Sequence, residues 1–171
     1  MNEQKGFSLI ELLIVVIIIG IIAAIAVPNL IASRRAANES SAIASLRTLH
    51  SANMSYAATS GNGEFAGQAA SVGITSLTDL KTLNLIDGSL GSGSKSNYLF
   101  IGDREARSAA TAASFYFSAN PVSPSGITRT GNRRFGVATD GIVKYDATIA
   151  DLAVPFDENS ITTSAAVPLG E

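Results

Sequence analysis

Residues 7–27 read FSLIELLIVVIIIGIIAAIAV, apolar everywhere except at Ser8, Glu11 and Gly20. A run with no polar face predicts a helix that belongs in lipid or among other apolar helices. At about 1.5 Å per residue it spans ~31 Å, matching a hydrocarbon core of ~30 Å. Over residues 29–58 the pattern changes: Arg34, Arg35, Glu39, Arg47 and His50 interleave with Ile31, Ile43, Leu46, Leu49 and Tyr56 at three- and four-residue spacings. This predicts an amphipathic helix whose apolar stripe needs a cover. Thr59-Ser60-Gly61-Asn62-Gly63 signals the stop. A Gly-, Ala- and Ser-rich connection then runs to about Asn97. Within it a short helix is expected over residues 76–86, with Ser76 as cap, Asp79 at the capping-box position, Leu77, Leu80, Leu83 and Ile86 on one face, and Gly88 as terminator. Four runs rich in aromatic and β-branched residues predict strands at 97–102, 113–119, 133–139 and 141–146, the last two joined by a tight turn at Asp140-Gly141. The tail after Asp146 reads as loop. The expected fold class is α+β: a long N-terminal α-helix, membrane-spanning in its first half and amphipathic in its second, packed against a C-terminal antiparallel β-sheet of about four strands.

Composition sharpens this division without changing it. Of 171 residues 46% are hydrophobic and only 15% charged, the apolar excess lying in the N-terminal run. The length suits one compact domain plus one long helix. The boundaries read as a polar leader at 1–6, an apolar helix at 7–28, an amphipathic half at 29–58 and a globular head at 59–171. Without cysteine there is neither a disulfide framework nor a thiolate metal site. A net charge of −2 and a pI near 5.4 give no global attraction to nucleic acid.

The leader, MNEQKG, precedes the apolar run, and its one glycine junction lies before the helix. A secretory signal peptide has its small-residue cleavage site after a shorter apolar segment, so cutting here leaves the helix on the mature chain. Glu11 stands out, because a carboxylate within hydrocarbon costs about 2.5–3.5 kcal/mol on insertion scales. It rests either at headgroup level or beside a cation, and cleavage after Gly6 would supply one, the new amine of Phe7, one helical turn away. Gly6-Phe7-Ser8-Leu9-Ile10-Glu11 followed by an apolar helix resembles the prepilin signature shared by type IV pilins and type II secretion pseudopilins. The resemblance is close over residues 1–56, with Lys5 matching the usual basic leader. It implies cleavage between Gly6 and Phe7 by a prepilin peptidase, N-methylation of Phe7, and neutralisation of that amine by Glu11 during assembly. The implied partners are the lipid bilayer before assembly, an inner-membrane assembly platform, and identical or homologous subunits in a pilus or periplasmic pseudopilus. Charge bias alone, with Arg34 and Arg35 beyond the apolar run, puts the head in the cytoplasm; the resemblance implies the reverse, with the head outside the inner membrane.

Gly20 and Pro28 bracket a weak helical stretch, since glycine has low helix propensity and proline removes the bond to the carbonyl four residues back. A mild kink at Pro28 is expected, and the resemblance implies that this stretch can lose helicity in a filament.

No enzymatic chemistry is expected. The single His50 has no Gly-x-Ser-x-Gly elbow to serve and no second histidine to share a metal. Asp140, Asp146, Asp151 and Asp157 match no dense oxygen-ligand loop for calcium. Neither cofactor nor metal is expected. Arg129, Arg133 and Arg134, with Arg104 and Arg107, form the one basic cluster, read as balancing neighbouring acidic subunits rather than contacting DNA phosphates as in an uptake pilus. Two sequons, at Asn38 and Asn53, fall within the helix and are assigned no glycan. A second class, a membrane-anchored binding module or enzyme, remains the alternative to a filament subunit.

Overall fold

The structure, a computed structural model, describes residues 6–162 and 166–170. The leader positions Met1 to Lys5, among them the basic Lys5, lie outside the described residues. Helix α1 (Leu9–Thr59) is followed by α2 (Thr75–Thr82), α3 (Gly88–Gly91), strands β1 (Ser94–Lys95), β2 (Tyr98–Glu105), β3 (Ser114–Pro121), β4 (Arg134–Ala138) and β5 (Val143–Asp146), a 3-10 turn (Ile149–Asp151), α4 (Glu158–Thr162) and β6 (Val167–Pro168). The chain divides into two compact units, Met1–Arg34 and Arg35–Glu171.

In the first unit, α1 continues through both Gly20 and Pro28. Polar side chains bond the backbone around the proline: Asn29 Nδ2 donates to Ile25 O at 3.1 Å and Ser33 Oγ to Asn29 O at 3.0 Å.

In the second unit, Glu39, Ala42, Ser45, Leu46, Leu49, Ala52 and Asn53 of α1 are buried, at spacings that place them on one helical face. That face meets Phe65, Leu77, Leu80, Leu90, Tyr98, Phe100, Phe115, Phe117, Phe135 and Val137 in the main core. The sheet is an antiparallel meander in the order β1-β2-β3-β4-β5-β6. The four long strands coincide with the four sequence runs, and two short strands at the edges raise the number to six. β3 is buried from Phe115 to Pro121 without alternation, because both faces are covered. Phe115, Phe117 and Ala119 face the main core, whereas Tyr116 joins Ala138, Phe156, Ile161 and Ala166 in a second cluster beneath the C-terminal segment. Gly136 makes room for that segment, since a Cβ there would lie 2.8 Å from Ile161 Cδ1.

Local details depart from expectation. α2 starts at Thr75, with Ile74 as N-cap and no side-chain cap. Ser76 is buried with its hydroxyl unpartnered, and Asp79 accepts from Gly67 N at 3.0 Å. Leu83 is exposed rather than on the buried face. Gly88 opens a new helical turn instead of closing one, capped by Asp87, whose Oδ1 accepts from Leu90 N at 2.8 Å. Pairing between β4 and β5 ends at Val137↔Val143, so Asp140-Gly141 belongs to a longer connection: Gly141 (φ 75°) donates to Ala138 O at 3.0 Å, and Asp140 Oδ1 accepts from Ile142 N at 3.0 Å. The C-terminal segment carries α4 and β6 among its loops.

Candidate assembly site at the N-terminus

Gly6, Phe7 and Ser8 precede the first turn of α1, and Phe7 is 85% exposed. The turn is closed reciprocally. Ser8 O accepts from Glu11 N at 3.1 Å, while Ser8 N donates to Glu11 Oε2 at 2.9 Å. A helix N-terminus leaves its first amides unsatisfied and carries partial positive charge, so a carboxylate folded back on it is stabilised twice, by the bond and by the dipole. Glu11 is thereby aimed at the backbone one residue from Phe7 N. The Gly6–Phe7 bond remains outside the helix.

Neither Gly6 nor Gly20 is required by the subunit's own packing, for a Cβ at either would meet nothing within 4 Å. Large apolar side chains from Phe7 to Leu30 are all about half exposed or more, the least being Ile14 at 49%. No part of the chain covers them among the described residues. One helix here is long and apolar enough to cross a membrane.

The arginines singled out from sequence do separate things. Arg133 lies 2.8 Å from the buried Glu39 carboxylate and over the Phe135 and Tyr145 rings. Arg134, almost buried, pairs with Asp146 at 2.8 Å. Arg104 meets Glu64 at 2.6 Å. Arg129 stays apart from these pairs, with its Nε buried and unbonded. His50 packs on Phe115 at 5.5 Å and approaches Thr139 O at 3.4 Å. Asn53 is fully buried, its Oδ1 accepting from Ala66 N at 2.9 Å, and Asn38 donates to Thr130 O at 2.9 Å, so both sequon asparagines are engaged in the fold.

A groove that sequence reasoning missed is lined by Asp103, Glu105, Tyr116, Asp157 and Glu158. Its carboxylates come from β2 and the C-terminal segment, too far apart in sequence to be associated by spacing. Burial, then the neighbouring Asp103, Asp157 and Glu158, pushes the Tyr116 phenol up to about 12. The Asp103 carboxylate already accepts from Ser71 N, and Asp157 from Ser160 N. No group of three or more His, Cys, Asp or Glu positioned for a metal exists among the described residues.

A family model described as the prokaryotic N-terminal methylation motif matches residues 1–27. The chain is similar to the type IV wide pilus major component PilA4 of Thermus thermophilus, 59% identical over 39 residues, covering 23% of this chain and 30% of that protein. It is similar to the type IV major pilin protein PilA of Myxococcus xanthus, 50% identical over 54 residues, 32% of this chain and 24% of that one. It is also similar to the type II secretion system core protein G of Escherichia coli, 35% identical over 51 residues, 30% and 35% of the two chains. These matches span about a third of the relatives' length or less. No solved structure matches significantly. The N-terminus thus carries the prepilin-type motif, with type IV pilins and type II secretion pseudopilins as its relatives.

Proposed function

We propose that this chain is the precursor of a filament subunit, held in the bacterial inner membrane by residues 7–27, cut between Gly6 and Phe7 by a prepilin peptidase, N-methylated at Phe7, and assembled outside that membrane through its apolar helix. The observation that carries this reading is the uncovered helix beginning just after a Gly6–Phe7 junction that lies outside it, with Glu11 folded back toward it. A cation at Phe7, whether on the same chain or on a neighbour, neutralises Glu11 where hydrocarbon would otherwise penalise it. Between subunits that pairing sets axial register.

The energetics assign the steps. Lipid tails are as apolar as leucine, so exchanging lipid for neighbouring helices gains little by the hydrophobic effect, and an external assembly platform must do the work of extraction. Once outside, the same surface would face water at roughly 25 cal/mol per Å² of apolar area, which holds the subunits together. The function is structural, not enzymatic.

Mass spectrometry of the mature N-terminus tests this directly. A chain starting at N-methylated Phe7 is expected; an intact Met1 overturns the reading. A second reading, a pseudopilin of a type II secretion system, is favoured by the similarity to core protein G. A deletion strain that keeps its surface fibres but loses protein export selects it.

A further inference from the structure

We propose that the acidic groove beside Tyr116 receives Arg47 of a second copy of this chain, giving a head-to-tail contact between neighbouring subunits. The proposal rests on the chain assembling with copies of itself.

The groove lacks a cation. Asp103, Glu105, Asp157 and Glu158 line a volume of about 500 Å³ with no basic side chain among them. Elsewhere in the Arg35–Glu171 unit acids are matched: Glu39, Glu64, Asp87 and Asp146 each hold an arginine or lysine within 2.8 Å, whereas none of the four groove carboxylates has an ion pair among the described residues. The backbone amides that Asp103 and Asp157 accept from all bond Oδ1, so the second oxygen of each carboxylate remains for another donor.

Tyr116 supplies an independent sign. It is only 5% exposed and lines this groove, yet its phenol makes no hydrogen bond among the described residues. A buried hydroxyl without a partner carries a cost that an incoming donor removes. Burial, then Asp103, Asp157 and Glu158, keeps the phenol protonated and neutral. A guanidinium presents five donors in a planar fork, enough to serve the phenol oxygen and two carboxylates together.

The complementary surface lies on the other side of the sheet. Tyr116 belongs to the cluster beneath the C-terminal segment, while its neighbours Phe115 and Phe117 face the core that α1 covers. On α1, exposed Arg47, Thr48, Ser51 and Ser55 form with Ala52 and Leu85 a groove of about 410 Å³ whose one charge is Arg47. Arg47 has neither an ion pair nor a hydrogen bond among the described residues. Short side chains leave this groove open to a ridge, and α4 is one: Ile161 anchors it in the second cluster, and Glu158 and Thr162, one turn apart, line the acidic groove. Within one copy the sheet stands between the two surfaces, so they meet only between copies. A contact of unlike patches repeats from copy to copy into a ring or an open filament, not a two-fold dimer.

The chain has no cysteine, so Ser51→Cys and Thr162→Cys, one in each groove, are joined by mild oxidation of the fibre fraction from cells overproducing the full chain. With both in one chain, a ladder of trimers and higher species is expected, about tenfold above either single variant. Arg47→Glu should cut the ladder, or the fibres themselves, about tenfold, and adding Glu158→Arg should restore about half. Lys81→Glu, which reverses an exposed cation outside both grooves, should change nothing. Fibres without a ladder overturn the contact and leave filament assembly standing; absence of fibres from the unsubstituted chain overturns both. Dimers from a single-cysteine variant at the strength of the ladder assign a two-fold contact instead. A ladder indifferent to Arg47→Glu or dependent on added calcium, or a loss that Glu158→Arg does not reverse, overturns the assignment of Arg47 to the groove.

Discussion

Replacing Asp146 by Asn keeps the side chain's shape and removes the carboxylate that faces Arg134. Arg134 Nε and Nη2 bond Asp146 Oδ2 at 3.0 and 2.8 Å, and the two side chains are only 9% and 12% exposed. The same guanidinium donates to Val154 O at 2.7 Å and lies 4.2 Å from the Phe156 ring centroid, so the pair fastens the C-terminal segment to β4 and β5. Unit charges 4 Å apart attract by about 4 kcal/mol at an effective dielectric of 20. Removing one member of a buried pair costs about 3–5 kcal/mol, because the other charge stays behind. Asp151, 3.9 Å from Arg134 but 48% exposed, offsets a part that solvent screening holds to about 1 kcal/mol. The expected loss is therefore about 2–4 kcal/mol, which for a unit of this size lowers Tm by roughly 10 °C. Near-ultraviolet circular dichroism of the full chain in mild detergent follows it through the buried Tyr98 and Tyr116. Burial by itself raises the Asp146 pKa, but hydrogen bonds from Thr148 and Arg134 outweigh it and hold the carboxyl below its usual value. A depressed folded pKa means stability present above the unfolded value of about 3.9 and lost as pH falls through the folded one. The native and Asp146→Asn chains should thus converge in strong acid. A Tm change under about 2 °C at neutral pH, or a gap that persists undiminished in acid, refutes the reasoning.

Gly131→Ala places a Cβ onto the Tyr98 hydroxyl, which donates to Arg133 O at 2.7 Å; a loss of about 2–3 kcal/mol is expected. In alkaline absorbance titration the Tyr98 phenol, held high by burial and then by Glu39, should move back toward its ordinary value, and an unchanged titration with unchanged stability contradicts this. Asp87→Ala removes the cap of α3 and its contact with Lys95 at 2.6 Å. Urea unfolding should report a loss of about 1 kcal/mol, and no loss would show the cap to be idle. Combining Gly20→Ala with Pro28→Ala should leave membrane insertion intact but give stiffer, less extensible fibres, a claim that identical force-extension curves defeat. Glu11→Val should still insert and yet fail to enter filaments; sheared-fibre fractions containing the variant at native levels would favour a simple anchor over an assembly device.

Patterning made the backbone of this fold legible, and pairing across the chain made the rest invisible. The apolar run, the stripe through Leu46 and Leu49, with Ile43 and Tyr56 packed at its border, and the aromatic runs around Phe100, Phe115 and Phe135 announce themselves because burial imposes a local period. β1 and β6 each comprise two residues and exist only through their partners, Ser94↔Leu99 and Tyr145↔Val167, so no local signal marks them. Ser76 and Asp79 have capping-box spacing, yet Asp79 finds a stronger use on Gly67 N, and the local motif yields to a tertiary bond. The supposed arginine cluster dissolves for the same reason. Adjacency in sequence groups Arg133 with Arg134, whereas Arg133, just before β4, turns to Glu39 and Arg134, its first residue, to Asp146.

The glycines separate what the fold needs from what lies beyond it. At Gly102, Gly131 and Gly136 a Cβ would collide with Phe117, Tyr98 and Ile161, so the monomer alone explains them. At Gly6 and Gly20 a Cβ would meet nothing, and Gly20 within a helix costs about 1 kcal/mol relative to alanine. On the proposed function, a peptidase that must admit the backbone would account for Gly6, and a neighbouring helix, or a helix that must unwind, for Gly20. Glu11 obeys the same logic, being an exposed carboxylate set into a surface that otherwise excludes charge. The three positions fall in one segment that the described residues leave uncovered, which is where the proposed assembly would place its contacts with partners.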